Sequence, residues 1–202
     1  RLSILLSAPA ALGLYILAAP LIATLFYYGA FSEHDVLMTQ YALTAYSIGL
    51  IALVLIKVLA PAFYAQKNIK TPVKIAIFTL FCTQLMNMIF IGFIGHAGLA
   101  LAIAIGACIN AGLLFYHLKK NKIFVLEKGW ILFFTKIILG LVAMTTLLLF
   151  LKGPDSDWLV YSAWEKVFRL GFLTLAGAFS YFVALRILGV DLGTFTKRLS
   201  NQ

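Results

Sequence analysis

A lysine and a proline, four residues apart, lie inside an apolar run that is long enough to cross a membrane. Lys57 is about two turns inside that run, where an unsolvated lysine costs roughly 2.5 to 3.5 kcal/mol on insertion scales. Pro61 has no N–H to donate to the Lys57 carbonyl, so a bend is expected at this predicted hinge. A polar, bent position at membrane depth is typical of a binding or transport site.

The composition indicates an all-α polytopic membrane protein. Hydrophobic residues make up 63% of the chain and charged residues only 11%. A helix needs about 20 mostly apolar residues to cross the hydrocarbon, and six such runs are predicted, over 4–27, 36–64, 71–93, 98–118, 130–151 and 167–188. They leave no room for a soluble domain. Because the chain starts at Arg1 and turns apolar at once, we expect it to be part of a longer protein.

The side chains that could do covalent chemistry do not form a site of the soluble-enzyme type. His34, His96 and His117 lie far apart, near predicted helix ends, without other ligands at metal-binding spacing. Cys82 and Cys108 fall inside predicted spans, where they are interpreted as small buried hydrophobic residues. The sequence has neither a glycine-rich phosphate loop nor a serine elbow. We therefore expect no enzyme activity, no metal and no cofactor.

Several local signals predict how the helices end and pack. Pro9 and Pro20 free the carbonyls of Leu5 and Ile16, so neighbouring helices must satisfy them. Thr71 as a cap residue, followed by Pro72 at the first helical position, predicts the start of a helix. Aromatic residues recurring from 158 to 168 predict a short helix in the headgroup zone. Small residues at four-residue spacing predict close helix contacts, in the two series Gly98, Ala102, Gly106, Asn110 and Ala100, Ala104, Cys108, Gly112.

A polar seam is predicted on the second, third and fourth spans. The first half of the second span carries Gln40 and Tyr41 among several hydroxyl groups, which either line a cavity or bond to neighbours. On the third span Gln84 and Asn87 share a face beside Thr83. Asn110 on the fourth span is expected to hydrogen-bond across a helix contact. Interhelical bonding and a ligand site both remain open for these groups.

Basic residues are distributed unequally between the two sides. If the N-terminus is cytoplasmic, the opposite side holds only Lys152, Lys166 and Arg169. The positive-inside rule then places both ends in the cytoplasm. The net charge of +9 is therefore a topology signal, and no nucleic-acid partner is expected. The cytoplasmic set comprises Arg1, Lys67, Lys70, Lys74, Lys119, Lys120, Lys122, Lys128, Lys197 and Arg198.

Three stretches carry a resemblance to a known family. They are ALTAYSIGLIALVLIKVLAPAFYAQKNIKTPVK at 42–74, TQLMNMIFIG at 83–92 and HAGLALAIAIGACINAGLL at 96–114. These resemble the lipid II flippases of the MurJ (MviN) family. The resemblance implies the C-terminal part, helices nine to fourteen, of a fourteen-helix exporter fold. Residues 1–118 would then be four helices of the C-terminal transport lobe, and 119–202 an additional helix pair with an interfacial segment and a lipid-tail groove.

The same resemblance implies a function and a set of site residues. The whole protein would carry lipid II, the undecaprenyl-pyrophosphate-linked peptidoglycan precursor, between leaflets of the bacterial inner membrane by alternating access. Its partners would be membrane lipids and the N-terminal half of the transporter. Lys57 would supply charge for the pyrophosphate, with Gln40, Tyr41 and Tyr64 along the cavity. Some members bind sodium, but the matching set here, Thr83, Asn87, Leu99 and Ile103, is too poor in oxygen to predict that site.

Two alternatives remain from the residues alone. A related exporter of O-antigen, polysaccharide or drugs would share the fold, although a drug antiporter should have carboxylates within its spans. A non-transporting membrane scaffold subunit would have its polar seam fully paired and dry.

Overall fold

The computed structural model describes residues 1–121 and 129–190, and helices account for the regular structure of this part. The predicted all-α membrane fold is confirmed. Within the described residues five helices are long and apolar enough to cross a membrane, and there are six if a bent pair is one span. The helices are α1 Leu2–Ile16, α2 Ala18–Leu25, α3 Glu33–Ala65, α4 Lys70–Ile94, α5 His96–Lys120, α6 Trp130–Lys152, α7 Asp157–Val160 and α8 Ala163–Ile187.

The helices form two compact units. One contains Arg1–Leu25 and Glu127–Gln202, and the other contains Phe26–Leu126. The first helix pair therefore groups with the last helices of the chain. The predicted division into 1–118 and 119–202 concerns roles in transport, and it stays a prediction.

In the unit Phe26–Leu126, α5 lies between α3 and α4. The predicted close contacts are confirmed at Gly106 and Ala104, where glycines leave no room for a methyl group, but not at Gly112, where an added Cβ would meet no atom within 4 Å. A Cβ on Gly106 would clash with the Thr83 hydroxyl of α4, and one on Gly49 of α3 would lie 2.5 Å from the Ala104 Cα of α5. Short side chains thus allow α5 to approach both neighbours.

The connection from α3 to α4 has its own capping structure. The N–H groups of Lys67 and Asn68 donate to the carbonyls of Tyr64 and Phe63, and Lys67 has a positive φ of 56°. The Asn68 side chain then accepts from the Thr71 N–H at 3.2 Å. The prediction that Thr71 caps this helix is wrong, since α4 begins at Lys70 and the Asn68 side chain accepts from the Thr71 N–H.

In the other unit, α6 packs along α8 through two glycines. A Cβ on Gly140 would lie 3.1 Å from the Tyr181 ring, and one on Gly177 would lie 3.1 Å from Leu148. Each glycine accepts a large side chain from the other helix. Tyr181 and Leu148 are consequently fully buried.

The span made by α1 and α2 is bent by 71° around Leu17. Pro20 cannot donate to the Ile16 carbonyl, and the missing helical bond accounts for a bend at this place. The prediction that neighbours satisfy both freed carbonyls is confirmed. The Tyr181 hydroxyl donates to the Leu5 carbonyl at 3.0 Å, and the Lys152 ammonium donates to the Ile16 carbonyl at 3.3 Å.

The aromatic segment after α6 differs from its prediction. Only the four residues of α7 form a short helix, and α8 already begins at Ala163. Trp158 is 1% exposed, and its indole N–H donates to the Lys152 carbonyl at 3.2 Å. The predicted headgroup helix is therefore wrong for this residue, because Trp158 folds inward onto the end of α6. Trp164 and Phe168 are exposed on α8.

Candidate functional site

Lys57 lies on the side of α3 that faces away from α5. Ala52 and Phe63 pack against α5 on the opposite side. Helical spacing places Pro61 and Tyr64 on the Lys57 face, and all three side chains are exposed. Within the described residues Lys57 has neither a hydrogen bond nor an ion pair. The face therefore presents one uncompensated positive charge, beside a carbonyl that Pro61 leaves without its helical donor.

Gln40 and Tyr41 do not join this group. They lie near the start of α3, about 25 Å from Lys57 at 1.5 Å per residue. The neighbouring hydroxyls bond within their own helix, since Thr39 donates to the Asp35 carbonyl and Ser47 to the Thr44 carbonyl. The described part of α3 thus has a local lysine site near its end and a separate polar region near its start.

The polar seam converges on a groove of about 280 Å³ between α3, α4 and α5. Thr83, Gln84 and Asn110 contribute its polar groups, and Leu53 and Ile56 of α3 form its apolar wall. The Thr83 hydroxyl donates to the Thr79 carbonyl at 2.9 Å. Thr79 was missed from the sequence, although its spacing of four from Thr83 indicates the same helix face.

The two asparagines of the seam behave differently from each other. The Asn87 side-chain oxygen is buried without a hydrogen-bond partner and is not part of the groove lining. Asn110 lines the groove and makes no hydrogen bond to another described residue. The expected bond from Asn110 across the helix contact is therefore not formed among these residues, and its carboxamide remains free to bind another group.

The carboxylates of the described residues lie at helix starts and in turns. Asp35 and Glu165 form capping boxes with Ser32 and Ser162. Asp155 pairs with Lys152 at 2.6 Å. Over residues 1–121 and 129–190, histidine, cysteine and acidic side chains do not come together in groups that could hold a metal ion.

An apolar groove of about 320 Å³ follows the bent span in the unit that contains α1 and α8. Its first wall runs from Leu6 to Leu21, and Met144, Leu173 and Phe182 belong to the facing walls. The lining side chains are apolar apart from Thr174, whose hydroxyl donates to the Leu170 carbonyl. Such a groove suits an alkyl chain rather than a polar ligand.

Comparison with known proteins identifies the family. A family model described as "Lipid II flippase MurJ" matches residues 1–168. The chain belongs to this family. The lipid II flippase MurJ of Burkholderia cenocepacia is 42% identical over 200 residues, which cover 98% of the chain and 39% of that protein. The probable lipid II flippase MurJ of Vibrio cholerae is 35% identical over 192 residues, covering 95% of the chain and 37% of that protein.

A solved structure supports the fold. The chain resembles "Lipid II flippase MurJ, inward closed conformation" with a TM-score of 0.68 at 24% identity, over 90% of the chain and 37% of that structure. The chain thus spans under two fifths of the MurJ proteins to which it is compared. With its apolar helices, it is a multi-pass membrane segment of the MurJ family.

Proposed function

We propose that this chain is the C-terminal part of a transporter that moves lipid II from the cytoplasmic to the periplasmic leaflet by alternating access. Its family and the named activity of its relatives support this assignment. A flippase changes the position of a lipid rather than its covalent bonds, so the protein is a transporter and not an enzyme. The observation that carries the proposal is the exposed, uncompensated Lys57 on a span of this family.

Lys57 would bind the pyrophosphate of the substrate. An ammonium group is a compact charge with three donors that adapts to phosphate oxygens as they change position. Tyr64 and the carbonyl freed by Pro61 lie on the same face and could contact the sugar or peptide part. Gln40 and Tyr41 lie about 25 Å away, so they would meet the substrate only at another stage of its passage.

The apolar groove along α1, α6 and α8 is suited to the polyprenyl tail. Its lining is almost entirely apolar, so an alkyl chain that enters it replaces contacts with lipid by similar contacts with protein. A groove of about 320 Å³ has room for part of a polyprenyl chain. The Lys57 site proposed for the lipid II pyrophosphate and the groove proposed for its tail thus belong to different units. The groove is lined by α1 as well as by the later helices, so the proposed tail site extends beyond residues 119–202, to which the resemblance assigned it.

The proposed location is the bacterial inner membrane, with both ends of this segment in the cytoplasm. Lys67, Lys70 and Lys74 are exposed near the α3–α4 turn, as the positive-inside rule requires for a cytoplasmic turn. The N-terminal half of the transporter would supply the remaining wall of the cavity. It is also the expected partner of the groove that contains Gln84 and Asn110.

Depletion of the whole protein tests the transport assignment. We expect lipid II to accumulate in the inner leaflet while export of hydrophobic drugs is unchanged. A toxin that degrades lipid II and is added from outside reaches only lipid II in the outer leaflet. The fraction of lipid II that survives the toxin therefore reports how much remains in the inner leaflet. Unchanged surface exposure of lipid II, or loss of drug efflux instead, would contradict the proposal and favour a different exporter.

Water access at Lys57 separates a transporter from a scaffold. In the whole protein with Cys82 and Cys108 replaced by serine, Lys57→Cys should react with a membrane-impermeant maleimide, because the proposed cavity is wet. Phe78→Cys, on the exposed apolar face of α4, is the matched lipid-facing control and should react at least about ten-fold more slowly, because thiolate forms poorly in hydrocarbon. Equal protection of both positions from either side would favour the scaffold.

A further inference from the structure

The bent α1–α2 span is attached to α6 and α8 at the two carbonyls that its own prolines release. Pro9 removes the helical donor of the Leu5 carbonyl, and Pro20 removes that of the Ile16 carbonyl. Tyr181 of α8 donates to the first and Lys152 of α6 to the second. The two carbonyls are separated by about 16 Å along the helix. Each proline therefore creates an acceptor that a neighbouring helix uses.

Both donors are fixed by further contacts. Tyr181 is 0% exposed and its ring packs on Gly140, so separating the helices would leave a buried hydroxyl and a buried carbonyl without partners. The Lys152 ammonium also binds Asp155, and the Lys152 carbonyl accepts from the Trp158 indole. The α6–α7 turn thus holds the ammonium against the bend.

The two attachment points border the apolar groove. Leu6 and Pro9 line it beside the first point, and Leu17 lines it beside the second. Phe182 follows Tyr181 directly in sequence and lines the opposite wall. The distance between the walls consequently depends on whether both hydrogen bonds are made.

We propose that Tyr181 and Lys152 are positioning residues that hold the bent span through its proline-released carbonyls and so set the width of the apolar groove. The inference goes beyond the transport assignment, because it concerns the shape of the span and holds whatever occupies the groove. It also explains why two prolines are tolerated in one span: each costs a backbone bond that a side chain replaces.

A distance measurement in the full-length protein in lipid nanodiscs tests this. Spin labels replace exposed Tyr15 of α1 and Phe179 of α8 after the native cysteines are changed to serine. We expect one narrow distance in the parent. In the double variant Tyr181→Phe, Lys152→Met, the population of a second distance relative to the parent distance should increase about three-fold for each hydrogen bond lost. This factor corresponds to the typical strength of an interhelical hydrogen bond in a membrane. An unchanged distribution would overturn the proposal.

Restoring the backbone donor separates hydrogen bonding from packing. In a Pro9→Ala background the residue 9 N–H can bond the Leu5 carbonyl, so adding Tyr181→Phe should then have little further effect. An equal effect of Tyr181→Phe with and without Pro9→Ala would overturn the role given to this bond. Tyr181→Phe removes a single oxygen and is also measured alone, which keeps the test available if the double variant does not reach the membrane.

A conservative substitution at Lys152 and two distant substitutions are the controls for this distance measurement. Lys152→Arg keeps a cationic donor and should retain the parent distance, whereas Lys152→Met should not. Tyr116→Phe and Lys120→Met make the same chemical changes at exposed positions on α5 and should leave the distance unchanged. A shift of equal size in these controls would show that the effect is not specific to the two attachment points.

Discussion

Gly49→Ala is expected to force α3 away from α5 and to lower the free energy of unfolding by about 1 to 3 kcal/mol, the usual range for overpacking. The added Cβ would lie 2.5 Å from the Cα and 2.7 Å from the Cβ of Ala104. Backbone atoms cannot move aside as a flexible side chain can, so the helices themselves must separate. The shift in the midpoint of unfolding in SDS, measured on the whole protein, gives the loss.

Gly112→Ala provides the matched control for this substitution. It makes the same change on α5, but a Cβ there meets no atom within 4 Å. Alanine is the better helix former by about 0.5 to 1 kcal/mol, so Gly112→Ala should be neutral or stabilising. If both variants lost the same stability, the cost would come from the helix backbone and not from the contact between α3 and α5.

The spans could be predicted from the sequence because an apolar run long enough to cross a bilayer is a property of one continuous segment. Helix ends were less predictable. The α4 start is satisfied by Asn68, three residues before the threonine that the pattern favours. Lys67, directly before Asn68, adopts a positive φ, which is uncommon for a residue other than glycine and is not signalled by the lysine itself.

The bend of the first span could be predicted only in part. Pro9 and Pro20 identify which carbonyls lose their donors, and this follows from local chemistry. The donors themselves, Lys152 and Tyr181, lie more than a hundred residues later in the sequence. The bend of 71° lies where Pro20 removes the donor to the Ile16 carbonyl, whereas hydropathy alone shows one uninterrupted run.

The candidate site shows the same limit. Spacing of three or four residues places Pro61 and Tyr64 with Lys57 and places Thr83 with Thr79, and it is reliable within one helix. It does not tell which neighbouring helix a face meets. Asn87 was therefore predicted beside Gln84, whereas the groove contains Gln84 and excludes Asn87. The roles of all these residues in transport remain predictions.

Lys57→Ala in the whole protein is expected to abolish or severely reduce growth when it replaces the native flippase. Loss of a charge-assisted hydrogen bond to the pyrophosphate would cost about 1.5 to 3 kcal/mol, which is about ten-fold or more in substrate binding. Protein levels in the membrane should not fall, because Lys57 is exposed and has no described partner whose charge would be left alone. Complementation of a depletion strain and immunoblotting of membranes measure the two effects.

Charge, and not side-chain length, should govern the result. Lys57→Arg keeps the charge and should restore most growth, with a remainder lost because a planar guanidinium fits phosphate differently. Lys74→Ala removes another exposed charge, near the α3–α4 turn, and should complement normally. Normal growth of Lys57→Ala would remove this residue from the mechanism. The Lys57→Ala defect could instead be relieved by neutralising one carboxylate in the N-terminal half. Lys57 would then be a structural ion-pair partner, because the second substitution removes the charge that Lys57→Ala had left unpaired.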